Sequence, residues 1–247
     1  MNRDVRVAVF RPDDDRLSDA VELLDSLGAT PVPDPMLAVE PTDATPEDAE
    51  YVVLTSKTGV ELLAAAGWSP DGATLCCIGA STAAAARDAG WTVGRVPEKY
   101  TSAGLVEHLR EEVSDATVEV ARSDHGSDVL LDGLREAGAR VHETVLYRLV
   151  RPEGSGQSAV MAAGGELDGV CFSSSLTVDH FLDAAAERGL REEAIAGLND
   201  AVVGVIGPPT RETAESHGID VDVVPDAADF EELVCDVVET AAPTYRE

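Results

Sequence analysis

Two turns that combine glycine with hydroxyl residues follow apolar runs in this sequence. They are residues 79–82 (GAST) and residues 207–210 (GPPT), and each is followed by a helical pattern that ends at a glycine. A turn from a strand into a helix leaves the first backbone N–H groups of the helix unpaired, with the positive end of the helix dipole behind them. Such a turn suits a carboxylate or a phosphate. Thr82 and Thr210 are therefore candidate binding residues, although Ser81 and Thr210 could instead be ordinary helix N-caps.

Two more hydroxyl-rich turns follow short apolar runs that predict buried strands. Thr55, Ser56 and Lys57 come directly after YVVL, and Ser173 and Ser175 come directly after GVCF. Hydroxyl groups and a cation at the ends of strands also suit a small polyanionic ligand, so these five residues join the candidate binding set.

The same order of features occurs twice along the chain. The glycine turns match at a spacing of 128 residues, and Thr55-Ser56 is matched by Ser173-Ser174 at a spacing of 118. At a spacing of 111, Arg11-Pro12-Asp13 is matched by Arg122-Ser123-Asp124, which adds Arg11 and Arg122 as candidate binding cations. The sequence therefore predicts a duplication of one structural unit.

Strand patterns alternate with helical patterns of about ten residues, which predicts parallel sheets with helices on both faces. We expect an α/β fold of two similar lobes, each flavodoxin-like, with ligands at the carboxyl ends of the strands. Every hydroxyl turn lies at such an end, so all of them could line one cleft. Residues 141–150 form a long alternating strand that could pair with residues 36–40 as a two-stranded linker, and Tyr147 lies in it.

The composition is strongly acidic. The 247 residues include 47 Asp and Glu against 18 Lys and Arg, for a net charge of −29, and there are two lysines, Lys57 and Lys99. Such a surface is typical of adaptation to high salt, where the Debye length falls to about 3 Å at 1 M. The charge argues against nucleic acid or an anionic membrane as a partner. With no signal-peptide core at the N-terminus, we expect a cytoplasmic protein.

Two common nucleotide-binding motifs are missing from the sequence. There is no phosphate loop of the G-x-x-x-x-G-K type and no G-x-G-x-x-G fingerprint. The four cysteines and five histidines lack metal-ligand spacing, so we expect no metal. The run 13–15 (DDD) invites comparison with a phospho-acceptor site, but a solvated turn explains it as well. The residues by themselves indicate a two-lobed protein for a small polyanion and specify no reaction.

The repeated set resembles the uroporphyrinogen-III synthase family over nearly the whole chain. The resemblance is carried by VVLTSKTGVELL, CIGASTA, ETVLYRLV, CFSSSLTVDHFL and GVIGPPTRETAESHG, in that order. It implies an enzyme without a cofactor that closes the linear tetrapyrrole hydroxymethylbilane to uroporphyrinogen III. Water is lost in this reaction, and the last pyrrole ring is inverted.

The resemblance also implies roles for individual residues. Tyr147 matches the family's cleft tyrosine, proposed to help the hydroxyl leave, whereas it could otherwise be a packing residue of the linker strand. Thr82 and Thr210 match threonines that face the cleft. Ser56, Ser173 and Ser175 match hydroxyls that hold the acetate and propionate groups of the substrate. The double proline of residues 208–209 removes an N–H donor that many relatives keep.

The family fold implies that residues 1–36 and 152–247 form one lobe, that residues 42–142 form the other, and that residues 37–41 and 143–151 are the linker strands. We expect a monomer. The alternative is a two-lobed binding protein that holds a tetrapyrrole or another polyanion without turning it over, and such a protein has no need of Tyr147.

Overall fold

The structure is a computed structural model that describes residues 5–242. The chain divides into two compact units, Met1–Ala38 with Val150–Glu247 and Val39–Leu149. In chain order, its elements are β1 (Arg6–Val9), α1 (Asp15–Ser26), β2 (Thr30–Pro33), β3 (Ala38–Pro41), β4 (Tyr51–Leu54), α2 (Lys57–Ala65), β5 (Thr74–Cys77), α3 (Ala80–Asp88), β6 (Val93–Arg95), α4 (Ser102–Leu109), β7 (Thr117–Ser123), α5 (Asp128–Glu136), β8 (Arg140–Val150), α6 (Gln157–Ala163), β9 (Gly169–Phe172), α7 (Ser175–Glu187), α8 (Arg191–Asn199), β10 (Val202–Val205), α9 (Pro208–Ser216) and α10 (Phe230–Ala241). Within residues 5–242, no helix has both the length and the apolar character needed to cross a membrane.

The first unit is built on a four-stranded sheet with the strand order β10-β9-β1-β2. β1 pairs in parallel with β2 and β9, and β9 pairs in parallel with β10. Alternate residues of β1 point to opposite faces of the sheet, so Ala8 and Val7 belong to different apolar clusters. Phe10 stacks on Phe172 at 4.8 Å in one of these clusters. Both faces of the sheet are therefore covered by packed side chains, as a parallel sheet requires.

The second unit contains a six-stranded sheet with the order β3-β8-β7-β4-β5-β6. β7 pairs in parallel with β4 and β8, and β5 pairs in parallel with β4 and β6. Its two faces also carry separate apolar clusters, with Leu54 in one and Val53 in the other. β3 adds one strand beside β8, where the N–H of Thr42 donates to the carbonyl of Leu146 at 3.0 Å.

The two sheets repeat one strand order. Read from β2, the first sheet has the order β2-β1-β9-β10. The corresponding strands of the second sheet, at the predicted spacings, have the order β8-β7-β4-β5. The correspondence extends to single residues, because Gly204 bridges Val223 where Cys76 pairs with Arg95, 128 residues earlier. The predicted α/β class with parallel sheets flanked by helices is confirmed.

Candidate functional site

Tyr147 and Ser56, two of the predicted site residues, are in direct contact at the carboxyl edge of the second sheet. The Tyr147 hydroxyl donates to Ser56 Oγ at 2.9 Å. Tyr147 lies on β8 and is 6 % exposed, and the rest of its side chain belongs to the apolar cluster with Leu54. The tyrosine predicted from the linker strand is therefore anchored on a hydroxyl predicted from the turn after β4.

Ser56 also caps helix α2. Its Oγ accepts the backbone N–H of Gly59 at 3.0 Å, as expected of a serine N-cap. A serine oxygen has two acceptor sites and one proton to donate. Gly59 and Tyr147 fill both acceptor sites, so the proton of the half-buried Ser56 hydroxyl is left to donate to a ligand. A methyl group at Gly59 would lie 3.1 Å from Leu146, so this glycine lets α2 approach β8 closely.

The other two predicted residues of this turn differ in how accessible they are. Thr55 is half-buried at the end of β4, whereas Lys57 is exposed and forms an ion pair with Glu61 at 3.3 Å, one helical turn later. Exposed pairs of this kind contribute about 0.5 kcal/mol or less. The Lys57 ammonium can therefore leave Glu61 for an anionic ligand at little cost.

The glycine turn after β5 opens into helix α3 without a side-chain cap. Gly79 is the N-cap residue and provides no side-chain hydrogen bond, and the first N–H that the helix uses is that of Ala83, which donates to the Gly79 carbonyl. The N–H groups of residues 80–82 are therefore left for a ligand. Thr82 is 4 % exposed in the first turn of the helix. Ser81 is not an N-cap, so that interpretation of this turn was wrong.

The matching turn after β10 has the same form with fewer donors. Gly207 is the N-cap residue of α9 without a side-chain cap, and Thr210 is a 3 % exposed first-turn residue rather than a cap. Pro208 and Pro209 have no N–H, and the N–H of Arg211 donates to Gly207. The N–H of Thr210 is therefore left, so this helix start is a weaker anion site than that of α3.

The serine turn after β9 lies beside the glycine turn of the same unit. Ser174 caps α7 in a reciprocal pair of hydrogen bonds with Thr177. The Ser175 hydroxyl donates to the Pro209 carbonyl at 3.1 Å, which ties the start of α7 to the start of α9. Ser173 is half-buried beside them. Ser174 was not among the predicted site residues, although its Ser-x-x-Thr spacing to Thr177 indicates such a cap.

Arg11 lies at the carboxyl end of β1 in a cavity of about 310 Å³. Its guanidinium carbon lies 4.2 Å from the ring centre of Phe230, and its buried Nε has no hydrogen-bond partner within the described chain. Burial, and then the charge of Arg16, lower the pKa of Arg11. A buried N–H without a partner is costly. The cavity is also lined by Arg16 and by the acidic residues Asp19, Asp229 and Glu231.

Arg122 is used for internal contacts. Its Nε donates to a carboxylate oxygen of Glu143 at 2.6 Å, and its Nη1 donates to the Ser127 carbonyl at 2.6 Å. The residue is 4 % exposed, and a methyl group at Gly126 would lie 2.4 Å from its Cδ. Among the predicted binding cations, Arg122 is thus the one whose guanidinium bonds to the loop after β7.

The described residues contain no group of three His, Cys, Asp or Glu side chains placed to hold a metal ion. The predicted site residues at the two carboxyl edges are instead hydroxyl residues and single cations, which lie beside helix N–H groups. Such an arrangement can bind carboxylates by hydrogen bonding and can offer a weakly acidic proton from a hydroxyl.

Comparison with known proteins identifies the family. The sequence model described as uroporphyrinogen-III synthase HemD matches residues 18–235. A protein of Methanothermobacter thermautotrophicus described as "Putative uroporphyrinogen-III synthase" is 33 % identical over 230 residues, which cover 86 % of this chain and 90 % of the relative. The chain belongs to the uroporphyrinogen-III synthase family.

Two solved structures of uroporphyrinogen-III synthases share the fold. A mutant enzyme from the extremely thermophilic bacterium Thermus thermophilus aligns with a TM-score of 0.67 and 22 % identity, over 96 % of this chain and 98 % of that one. The enzyme from Helicobacter pylori aligns with a TM-score of 0.63 and 15 % identity, over 96 % of this chain and 100 % of that one. At these identities, the structures support the fold alone.

Proposed function

We propose that this chain is a uroporphyrinogen-III synthase, which closes hydroxymethylbilane to uroporphyrinogen III with loss of water and inversion of the last pyrrole ring. Membership of the family supports the reaction. The observation that carries the chemistry is the hydrogen bond from Tyr147 to Ser56, because it joins a buried phenol to a hydroxyl whose own proton is free to be donated.

The reaction makes modest demands on acid catalysis. The substrate hydroxyl takes up a proton and leaves as water, and the electrons of the pyrrole stabilise the resulting cation. The substituted carbon of the last ring attacks to form a spiro intermediate, which reopens and recloses with the ring inverted, and a ring proton is lost at the end. Protons balance over the cycle, and no oxidant is needed.

In this proposal, Ser56 presents the proton to the departing hydroxyl and Tyr147 acts through it. Two hydrogen bonds donated to Ser56 Oγ stabilise negative charge that develops there as its proton moves. A general acid of this kind contributes roughly 10²- to 10⁴-fold to the rate. Holding the substrate so that the substituted carbon is attacked, rather than the open position, is an orientation effect of the turns around it.

The remaining predicted residues are proposed to bind the acetate and propionate groups. In the second unit these are Thr55, Lys57 and Thr82, together with the open N–H groups at the start of α3. In the first unit they are Ser173, Thr210, Arg11 and Ser175, and the Ser175 hydroxyl would exchange the Pro209 carbonyl for a substrate carboxylate. Arg122 is proposed to act indirectly, by holding the loop after β7.

We also propose that the protein works as a monomer in the cytoplasm of a cell with concentrated salt. The net charge of −29 with two lysines supports the salt adaptation. The four free cysteines, three of them buried, are typical of a reducing compartment.

The test is whether each protein molecule converts many substrate molecules. The protein is mixed in molar salt with about a hundredfold excess of hydroxymethylbilane, and the loss of substrate is compared with the loss in the spontaneous reaction. The proposal predicts many turnovers per protein molecule. Depletion of at most one equivalent would contradict it and would favour a binding protein without catalytic activity.

A further inference from the structure

One difference between the two copies of the repeated unit is a pair of residues in a loop beside the glycine turn. In the loop that leads to the next helix, the second unit has Lys99 and Tyr100, and the first unit has Ala227 and Ala228 at the spacing of 128. We propose that Lys99 and Tyr100 are substrate-positioning residues, with the ring of Tyr100 packing against a pyrrole and Lys99 facing one of its carboxylates. This inference rests on the proposed function.

The two loops share their framework. The N–H of Thr101 donates to the Lys99 carbonyl at 2.8 Å, and the N–H of Asp229 donates to the Ala227 carbonyl at 2.7 Å. Thr101 and Asp229 then cap α4 and α10 respectively. Because the first unit forms the same loop with two alanines, the loop does not require a lysine and a tyrosine in order to fold.

Tyr100 covers the glycine turn of its own unit. A methyl group at Gly79 would lie 3.2 Å from both Cβ and Cγ of Tyr100, whereas a methyl group at Gly207 would meet nothing within 4 Å. Tyr100 is also 60 % exposed. Single exposed apolar residues are common and by themselves indicate little. This ring, however, stands beside the helix start with the larger number of open N–H groups.

Lys99 completes the charge around that helix start. The sheet order β4-β5-β6 places the turn after β5 between the turns after β4 and β6. Lys57 begins the helix after β4, and Lys99 lies in the loop after β6, so the two chain segments that carry the lysines lie on either side of the turn that opens α3. Within residues 5–242, Lys99 has no ion-pair partner, although Glu98 and Glu107 line the same surface groove.

These features match the chemistry of the substrate. A pyrrole carrying acetate and propionate groups has a flat apolar face with anionic arms. An aromatic ring is complementary to the face, and helix N–H groups and ammonium groups are complementary to the arms. The first unit offers open space where the second offers a ring, so this pair of residues distinguishes the two units in how they would receive a pyrrole.

The experiment compares steady-state kinetics of the wild type, Tyr100→Ala, Tyr100→Phe and Lys99→Ala with fresh hydroxymethylbilane. We expect Tyr100→Ala to raise KM about tenfold with kcat within about twofold, since a packing contact is lost. Tyr100→Phe should keep the wild-type KM. Lys99→Ala should raise KM about threefold, with a smaller effect in molar salt. Val160→Ala, which trims an exposed apolar side chain on α6, is the matched control.

A wild-type KM for Tyr100→Ala would overturn the inference, and so would equal damage by Ala and Phe, because the hydroxyl and not the ring would then matter. If Tyr100→Ala fails to fold, Tyr100→Leu replaces it, and an unchanged KM again counts against the proposal. The wild type is measured in the same experiment, so its turnover separates failure of the proposed function from failure of this inference.

Discussion

Replacing Tyr147 by phenylalanine removes one oxygen from a buried contact and separates a packing role from a catalytic one. Tyr147 is 6 % exposed, and its ring packs with the cluster around Leu54, so phenylalanine keeps the apolar contacts. What is lost is the hydrogen bond of 2.9 Å to Ser56. Ser56 keeps the N–H of Gly59 as a partner, so no buried donor is left unpaired.

Two magnitudes follow from this geometry. The free energy of unfolding should fall by about 1 kcal/mol, the net value of one neutral hydrogen bond. Turnover should fall by at least about tenfold, or 1.4 kcal/mol in the barrier, and by up to about 10⁴-fold if the pair is the full general acid. The first effect is small against the stability of a domain, so the lost rate cannot come from unfolding.

The assay is a double-mutant cycle of Tyr147→Phe and Ser56→Ala, read by kcat and by urea unfolding. If Tyr147 acts through Ser56, the double mutant loses little more rate than the worse single mutant. Ser56→Ala also removes a helix cap, at about 1 kcal/mol. Ser127→Ala removes the cap of α5 and controls for that loss. Additive losses of rate would refute the relay, and a kcat for Tyr147→Phe within twofold of wild type would remove Tyr147 from the mechanism.

Four other perturbations test the structure and its charges. Arg122→Ala should destabilise the protein by about 1–3 kcal/mol in urea unfolding, because the Ser127 carbonyl loses the buried guanidinium that donates to it. Substrate affinity should change by less than about threefold, and a large loss of affinity without loss of stability would make Arg122 a ligand contact. Burial raises the pKa of Glu119, which is 1 % exposed. The folded protein therefore keeps a proton on Glu119 at pH values where the unfolded chain has released it. The free energy of unfolding should then decline as the pH rises through that raised pKa. Glu119→Gln should remove the decline in pH-dependent urea melts, and an unchanged profile would contradict the assignment. At pH 8 a disulfide reagent should label only Cys235 in the folded protein. The other three cysteines are buried, and burial raises the pKa of Cys76 to about 12. Rapid labelling of a second thiol would contradict this prediction. The apparent KM should fall several-fold from dilute buffer to molar salt, because salt screens the repulsion between a chain of net charge −29 and a polycarboxylate substrate. A flat or rising KM would show that positive potential at the binding site dominates.

The repeats made the strands and the α/β class predictable, whereas the assignment of residues to the two lobes was implied by the family resemblance and not by the spacings. Spacings of 111, 118 and 128 residues marked corresponding strands, and the structure places those strands in the same order in both sheets. Alternating apolar runs and glycine-closed helices were sufficient because each element follows from a local pattern. The structure adds that the repeat extends to strand register, because the bridge between Gly204 and Val223 corresponds to the pair Cys76 and Arg95.

The site was predictable by location more than by contact. Residue type and position at strand ends selected Ser56 and Tyr147 separately, but their hydrogen bond joins residues 91 positions apart and depends on tertiary packing. The same limit applies to Arg122, whose partner Glu143 comes from the neighbouring strand. A sequence pattern reports which side chains reach the carboxyl edge of a sheet, and not which of them are already paired there.

The most direct test of the central claim is the isomer of the product. Protein in molar salt is added to freshly made hydroxymethylbilane, the products are oxidised, and the uroporphyrin isomers are separated by chromatography. A uroporphyrinogen-III synthase gives mostly the type III isomer, because the last ring is inverted before closure. The type I isomer alone, which forms without an enzyme, would contradict the account.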